Sequence, residues 1–115
     1  MEDPRLVKSK PHFIARLINY VLDSIVVKTI VKKLSGNISV MSFDKGEGMP
    51  EKTSHDESFA QVIDGEAEIV IDKVPNLVKS GQGIIIPAEA PNSINPKGRF
   101  KMLLTNLKTG DKKPS

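Results

Sequence analysis

Glycine and proline punctuation constrains this chain more than any other feature. Gly46, Gly65, Gly81 and Pro87 separate short apolar runs that either alternate or are rich in β-branched residues. Ile25-Val26-Val27-Lys28-Thr29-Ile30-Val31 is β-branched and Asn37 to Phe43 alternates, so both read as strands. Phe59 to Ile63 and Ala67 to Ile71 alternate on either side of Asp64-Gly65, and Asp-Gly in that setting predicts a hairpin because both turn positions take positive φ. Gly81-Gln82-Gly83 and Pro87-Ala88-Glu89-Ala90-Pro91 bracket Ile84-Ile85-Ile86, which reads as a buried strand held between two turns. Phe100 to Leu107 reads as a last strand, buried on both sides in its centre. The pieces make about eight to ten short strands, an all-β chain of the jelly-roll kind that closes most of its sheet edges.

With 115 residues, 38% of them hydrophobic, the chain is long enough for one domain and too short for two. Residues 24–108 carry the strand signals and form the expected barrel. Residues 1–23 form an expected N-terminal arm, in which Phe13, Leu17 and Tyr20, with Ile14, Ile18 and Val21, recur at helical intervals and predict a short helix or helical turn. Residues 109–115 have no apolar anchor and predict a frayed tail. Cysteine is absent, which removes any disulfide framework or thiolate metal site and suits a reducing cytoplasm. The start is polar and no apolar run approaches membrane-spanning length, so the expectation is a cytoplasmic chain with no membrane role.

The net charge of +3 is unevenly spread. Residues 1–33 carry seven basic and three acidic side chains, residues 34–96 four and ten, and residues 97–115 six and one. Basic ends raise nucleic acid as a partner. No recognisable reading helix accompanies them, however, and one tyrosine and four phenylalanines leave little to stack on bases, so solvated lysines account for the charge.

The punctuation also keeps a spacing. Five residues separate Gly46 from Lys52, and Ser54, Ser58 and Gly65 follow; five separate Gly81 from Pro87, and Glu89 and Asn92 follow. This pattern resembles the two motifs of the cupin superfamily, Gly-x5-His-x-His-x3-Glu-x6-Gly and Gly-x5-Pro-x-Gly-x2-His-x3-Asn, over Ser35 to Lys108 without a gap. The chain looks most like the small single-domain bacterial members. The resemblance implies a cupin-type jelly-roll barrel or sandwich, an arm that packs on the barrel or on a partner, and a homodimer formed through sheet edges or swapped arms.

It also implies four metal-ligand positions, which here hold Lys52, Ser54, Ser58 and Asn92. A protonated lysine has no lone pair and repels a dication, while serine hydroxyls and an amide oxygen are weak neutral ligands. No metal and no other cofactor is therefore expected. By alternation Ser58, Ala60 and Val62 share a face, which the resemblance turns inward with Lys52, Ser54 and Asn92. Such a lining is small, neutral and hydrogen-bonding with one cation, and suits a small anionic or polar ligand paired with Lys52 and oriented by Ser58 and Asn92. Against this stands a Lys52 that reaches out to water from the barrel mouth and binds nothing. The alternative function is a metal-dependent isomerase or dioxygenase, with a divalent transition metal at His55 and Glu51, Asp56 or Glu57 after a strand bulge turns His55 inward. His55 otherwise reads as a mouth histidine, exposed or bonded to a neighbouring carboxylate, and His12 as a surface residue. A ligand sensor would need a separate regulator, because no DNA-binding helix-turn-helix accompanies the barrel.

Overall fold

The β-branched run near the N-terminus becomes β1 (Ile25–Lys33), and the alternating run after it becomes β2 (Gly36–Phe43). Then follow β3 (Met49–Lys52), β4 (Glu57–Ile71), β5 (Val74–Lys79), β6 (Gly83–Ile86), β7 (Asn92–Asn95) and β8 (Phe100–Leu107). These are the strands among residues 6–109, which the structure, a computed structural model, describes. All pairings are antiparallel, in the order β1-β2-β8-β4-β7-β3, with β5 and β6 also paired to β4. The all-β, jelly-roll expectation holds.

β4 organises the fold, and it corrects the hairpin expected at Asp64-Gly65. The strand runs unbroken through that dipeptide. Its first half, Glu57–Gly65, pairs with β8 and β6; its second half, from Glu66, pairs with β5 and β7. The register slips between Val62 and Asp64, so Ile63 is the extra residue of a bulge that bends the strand from one sheet into the other. Gly65 takes φ 77 there, and a Cβ on it would lie 2.4 Å from the carbonyl oxygen of Arg99. Gly65 thus has the positive φ expected of it, but at a barrel corner, and Asp64 does not share it. The β4–β5 hairpin turns instead at Asp72-Lys73, with φ 51 and 70, between the register partners Ile71 and Val74.

Between the sheets lies a core that includes Met41, Phe43, Ala60, Val62, Ile69, Phe100 and Met102. Phe43 and Phe100 are cross-strand partners whose rings stack at 4.3 Å. A second cluster, Ile18, Ile30 and Val40 with Leu17, Ile63 and Leu103 packed on it, joins the arm to the outside of the β1-β2-β8-β4 sheet. Among its described residues the arm has one 3-10 turn, Ile14–Arg16; Leu6, Ile14, Leu17 and Ile18 pack on the sheet, while Phe13 and Val21 stay exposed. Polar ties add to this: Tyr20 donates to Asp64 (2.6 Å), Lys101 to the Ala15 carbonyl (2.6 Å) and Ser42 to the Asn19 carbonyl (2.9 Å).

Two burial expectations change. β6 alternates: Ile84 and Ile86 pack against the core, while Ile85 faces outward and is 56% exposed. β8 does lie inside the sheet, with Met102 and Leu104 toward the core and Leu103 toward the arm, but both leucines are only partly buried. Thr109, expected in the tail, donates its backbone N–H to Asp56 (3.1 Å) and its hydroxyl to the His55 carbonyl. The rest of the expected tail, 110–115, and the arm's first five residues lie outside the described residues.

Candidate ligand site

Lys52 ends β3 and Asn92 begins β7, and the two are register partners. Lys52 Nζ donates to Asn92 Oδ1 (3.2 Å), and Asn92 Nδ2 donates to the carbonyls of Lys52 (3.3 Å) and Ala90 (3.0 Å). The buried amide of Asn92 is therefore committed to protein groups. Ser58, near the start of β4, lies between Ile86 on β6 and Asn106 on β8. Its hydroxyl donates to Asn106 Oδ1 (3.0 Å), and Asn106 Nδ2 donates to Asp56 Oδ2 (3.0 Å). Asp56 in turn offers its backbone N–H to Ser54 Oγ (3.0 Å).

Asp56 is held below the ordinary carboxylate range. The Thr109 backbone N–H is the largest cause and the Asn106 amide the next, with burial opposing them and Lys108 and His55 adding smaller attractions. Lys108 Nζ lies 3.9 Å from its Oδ2.

Lys52, Ser54, Asp56, Ser58 and Asn92 share the wall of one cavity of about 100 Å³, with Met41, Met49 and Met102 and several isoleucine and leucine side chains. Ala60, expected on that wall, is fully buried in the core instead. The expected small, neutral lining is corrected too: the wall holds a carboxylate and is apolar over most of its surface. Alternation back from Ser58 already aims Asp56 inward, which is the signal that could have found it. Asn106 needed the β4–β8 register, and the methionines needed both sheets. A larger recess of about 420 Å³ between residues 6–12 and β1, rimmed by Lys8, Lys10, Lys32 and Lys33, brings together none of the motif residues.

The alternative metal site is not assembled. His55 Nδ1 lies 2.6 Å from Glu89 Oε2, and the imidazole is 88% exposed. Glu51 pairs with Lys73 (3.1 Å), and Asp56 is committed as described. No group of three or more His, Cys, Asp or Glu side chains gathers at one point among the described residues. The donor set at the four motif positions does not fit a divalent transition metal, since a lysine and a committed amide occupy two of them. Glu89 stands where the second motif has its middle glycine. It adopts φ 67, and its backbone N–H donates to the Ser54 carbonyl (2.7 Å), which fixes the loop beside the cavity.

No family model and no curated protein matches the chain. Solved structures do. A conserved protein of unknown function from Streptococcus pyogenes is 28% identical, with TM-score 0.85 over 91% of this chain and 92% of its own. A cupin superfamily protein from Desulfitobacterium hafniense is 27% identical, with TM-score 0.85 over 91% of this chain and 96% of its own. A cupin 2 conserved barrel domain protein from Leptotrichia buccalis is 33% identical over 82% of this chain, with TM-score 0.78; this chain spans 46% of its length. Motif spacing, strand order and these similarities agree, and the chain belongs to the cupin superfamily.

Proposed function

We propose that this chain is a cupin barrel that works without a metal, as a binding or accessory module for a small polar or anionic molecule at the barrel mouth. One observation carries the reading: Lys52, Ser54, Ser58 and Asn92 converge on a single cavity, and Lys52 brings there a cation whose hydrogen-bond partner is an uncharged amide. An enzyme of the isomerase or dioxygenase kind has no comparable support, because His55 is turned to Glu89 outside the cavity wall.

Elemental analysis of untagged protein before and after dialysis against a chelator, followed by metal add-back, tests this. The expected result is no stoichiometric metal and no change in melting temperature. Tightly held metal that raises the melting temperature overturns the reading.

A homodimer belongs to the same proposal. β1 ends the strand order, and its Val27 is 55% exposed, an apolar edge that a second copy would cover. Light scattering across a hundred-fold dilution checks it, and a monomer throughout removes the partner. No helix among the described residues is long and apolar enough to cross a membrane. A cytoplasmic site of action remains part of the proposal, to be checked by fractionation of cells expressing the untagged chain.

A further inference from the structure

We infer that the cavity takes a short-chain aliphatic monocarboxylate, its carboxylate at Lys52 and Ser54 and its hydrocarbon chain among Met41, Met49 and Met102. This rests on the small-ligand reading above and narrows it to one chemical class.

The wall is divided by depth. Lys52 is exposed and Ser54 half-buried, whereas Met41 and Met102 are buried among core residues. A ligand that enters therefore meets a cation and a hydroxyl first and thioethers and aliphatic groups after.

Donor capacity at the mouth favours an anion. An ammonium has three N–H donors, and the described partner of Lys52 is Asn92 Oδ1 alone. Ser54 Oγ accepts from the Asp56 backbone, which leaves its own O–H to give. Ser58 and Asn92 spend their hydrogens on protein acceptors. Asp56 puts a negative charge on the same wall, but its oxygens already accept from Thr109 and Asn106, and Lys108 stands 3.9 Å away. Lys52 has no carboxylate partner among the described residues, so the charge still to be matched at the mouth is positive.

Volume and polarity set the rest of the ligand. About 100 Å³ is roughly three water volumes, and less than the ~150 Å³ apolar cavity that holds a benzene. With the carboxylate at the mouth, that is room for about three carbons, the tail of butyrate. Sugars and nucleotides are too large. A second charge or a hydroxyl on the tail would lie against thioethers and aliphatic groups with no partner, which is unfavourable. Methionine walls are adaptable and polarizable, suited to a thin alkyl chain.

The test is a chain-length titration. Protein with carbon-13 methyl-labelled methionine is titrated with sodium formate through hexanoate, with butyramide and with inorganic phosphate, at constant ionic strength. Affinity is expected to rise about four-fold per methylene from acetate to butyrate and to fall by hexanoate. The methyl signals of Met41, Met49 and Met102 are expected to move. Lys52→Met is expected to weaken butyrate by about ten-fold or more and to leave butyramide little changed. Met49→Phe, which fills the cavity and leaves the cation in place, is expected to abolish butyrate binding and spare formate. Phosphate or formate binding at Lys52 with no gain along the series overturns this inference and leaves the small-ligand reading standing. Absence of binding by every compound overturns both.

Discussion

Gly65 and Gly81 both have positive φ, 77 and 92, yet they meet different surroundings. A Cβ at Gly65 would meet backbone at 2.4 Å, while one at Gly81 would meet nothing within 4 Å. Gly65→Ala should therefore lose about 2–4 kcal/mol and Gly81→Ala only about 1 kcal/mol, read from urea unfolding. Equal losses would mean that the backbone approach at the β4 bend relaxes freely. Among ionisable residues, Asp44 and Asp56 are both held below their ordinary value of 3.8. At Asp44 the Asp23 backbone N–H is the largest cause, and the Arg99 side chain, 2.8 Å away, follows. A carboxylate depressed in the folded state adds stability that is complete above its unfolded pKa and lost as pH falls through the lower folded one. The protein should accordingly weaken below about pH 4. Asp44→Asn with Asp56→Asn should flatten that decline while lowering stability at neutral pH. A double variant as acid-sensitive as the parent would assign the decline to other carboxylates.

At the scale of elements, the arm is held by apolar packing more than by its short 3-10 turn. Ile18 is 5% exposed in the cluster that joins arm to sheet, so Ile18→Ala should cost about 2–3 kcal/mol. Tyr20→Phe removes a surface bond to Asp64 and should cost about 1 kcal/mol, since the ring stays near Arg99 and Lys101. Thermal melts rank the two, and a reversed order would make the polar latch the main tie. β1, β2, β6 and β8 were legible because composition or bracketing turns mark them locally. β3 (Met49–Lys52) and β7 (Asn92–Asn95) carry little such signal; they become strands because β7 pairs with β4 and β3 with β7. Asp64-Gly65 misled because positive φ serves a bulged bend as well as a hairpin, and only the partner strand β8 decides which forms. In the site, spacing brought Lys52, Ser54, Ser58 and Asn92 to one cavity wall. It could not reveal that Asn92 is already committed, or that methionines from β2, β3 and β8 line the same cavity, since those facts arise from long-range register.

For the molecule as a whole, the spacing that resembles a metal cupin's is present, and Lys52, Ser54, Ser58 and Asn92 stand at the positions its ligands would take. The β3–β7 pairing places Lys52 opposite Asn92, and Ser54 and Ser58 line the same cavity. If that geometry is set by the frame, supplying such donors should create a metal site. Lys52→His, Ser54→His, Ser58→Glu and Asn92→His together remove the cation and supply three imidazoles and a carboxylate, a set suited to zinc or nickel. Without metal the variant should melt below the parent, because the Lys52–Asn92 and Ser58–Asn106 bonds are gone. With zinc at about a hundred times its dissociation constant it should gain about 2.7 kcal/mol, a rise of about ten degrees, whereas the parent should not respond. A folded variant that ignores both metals would show that these side chains do not converge as ligands must.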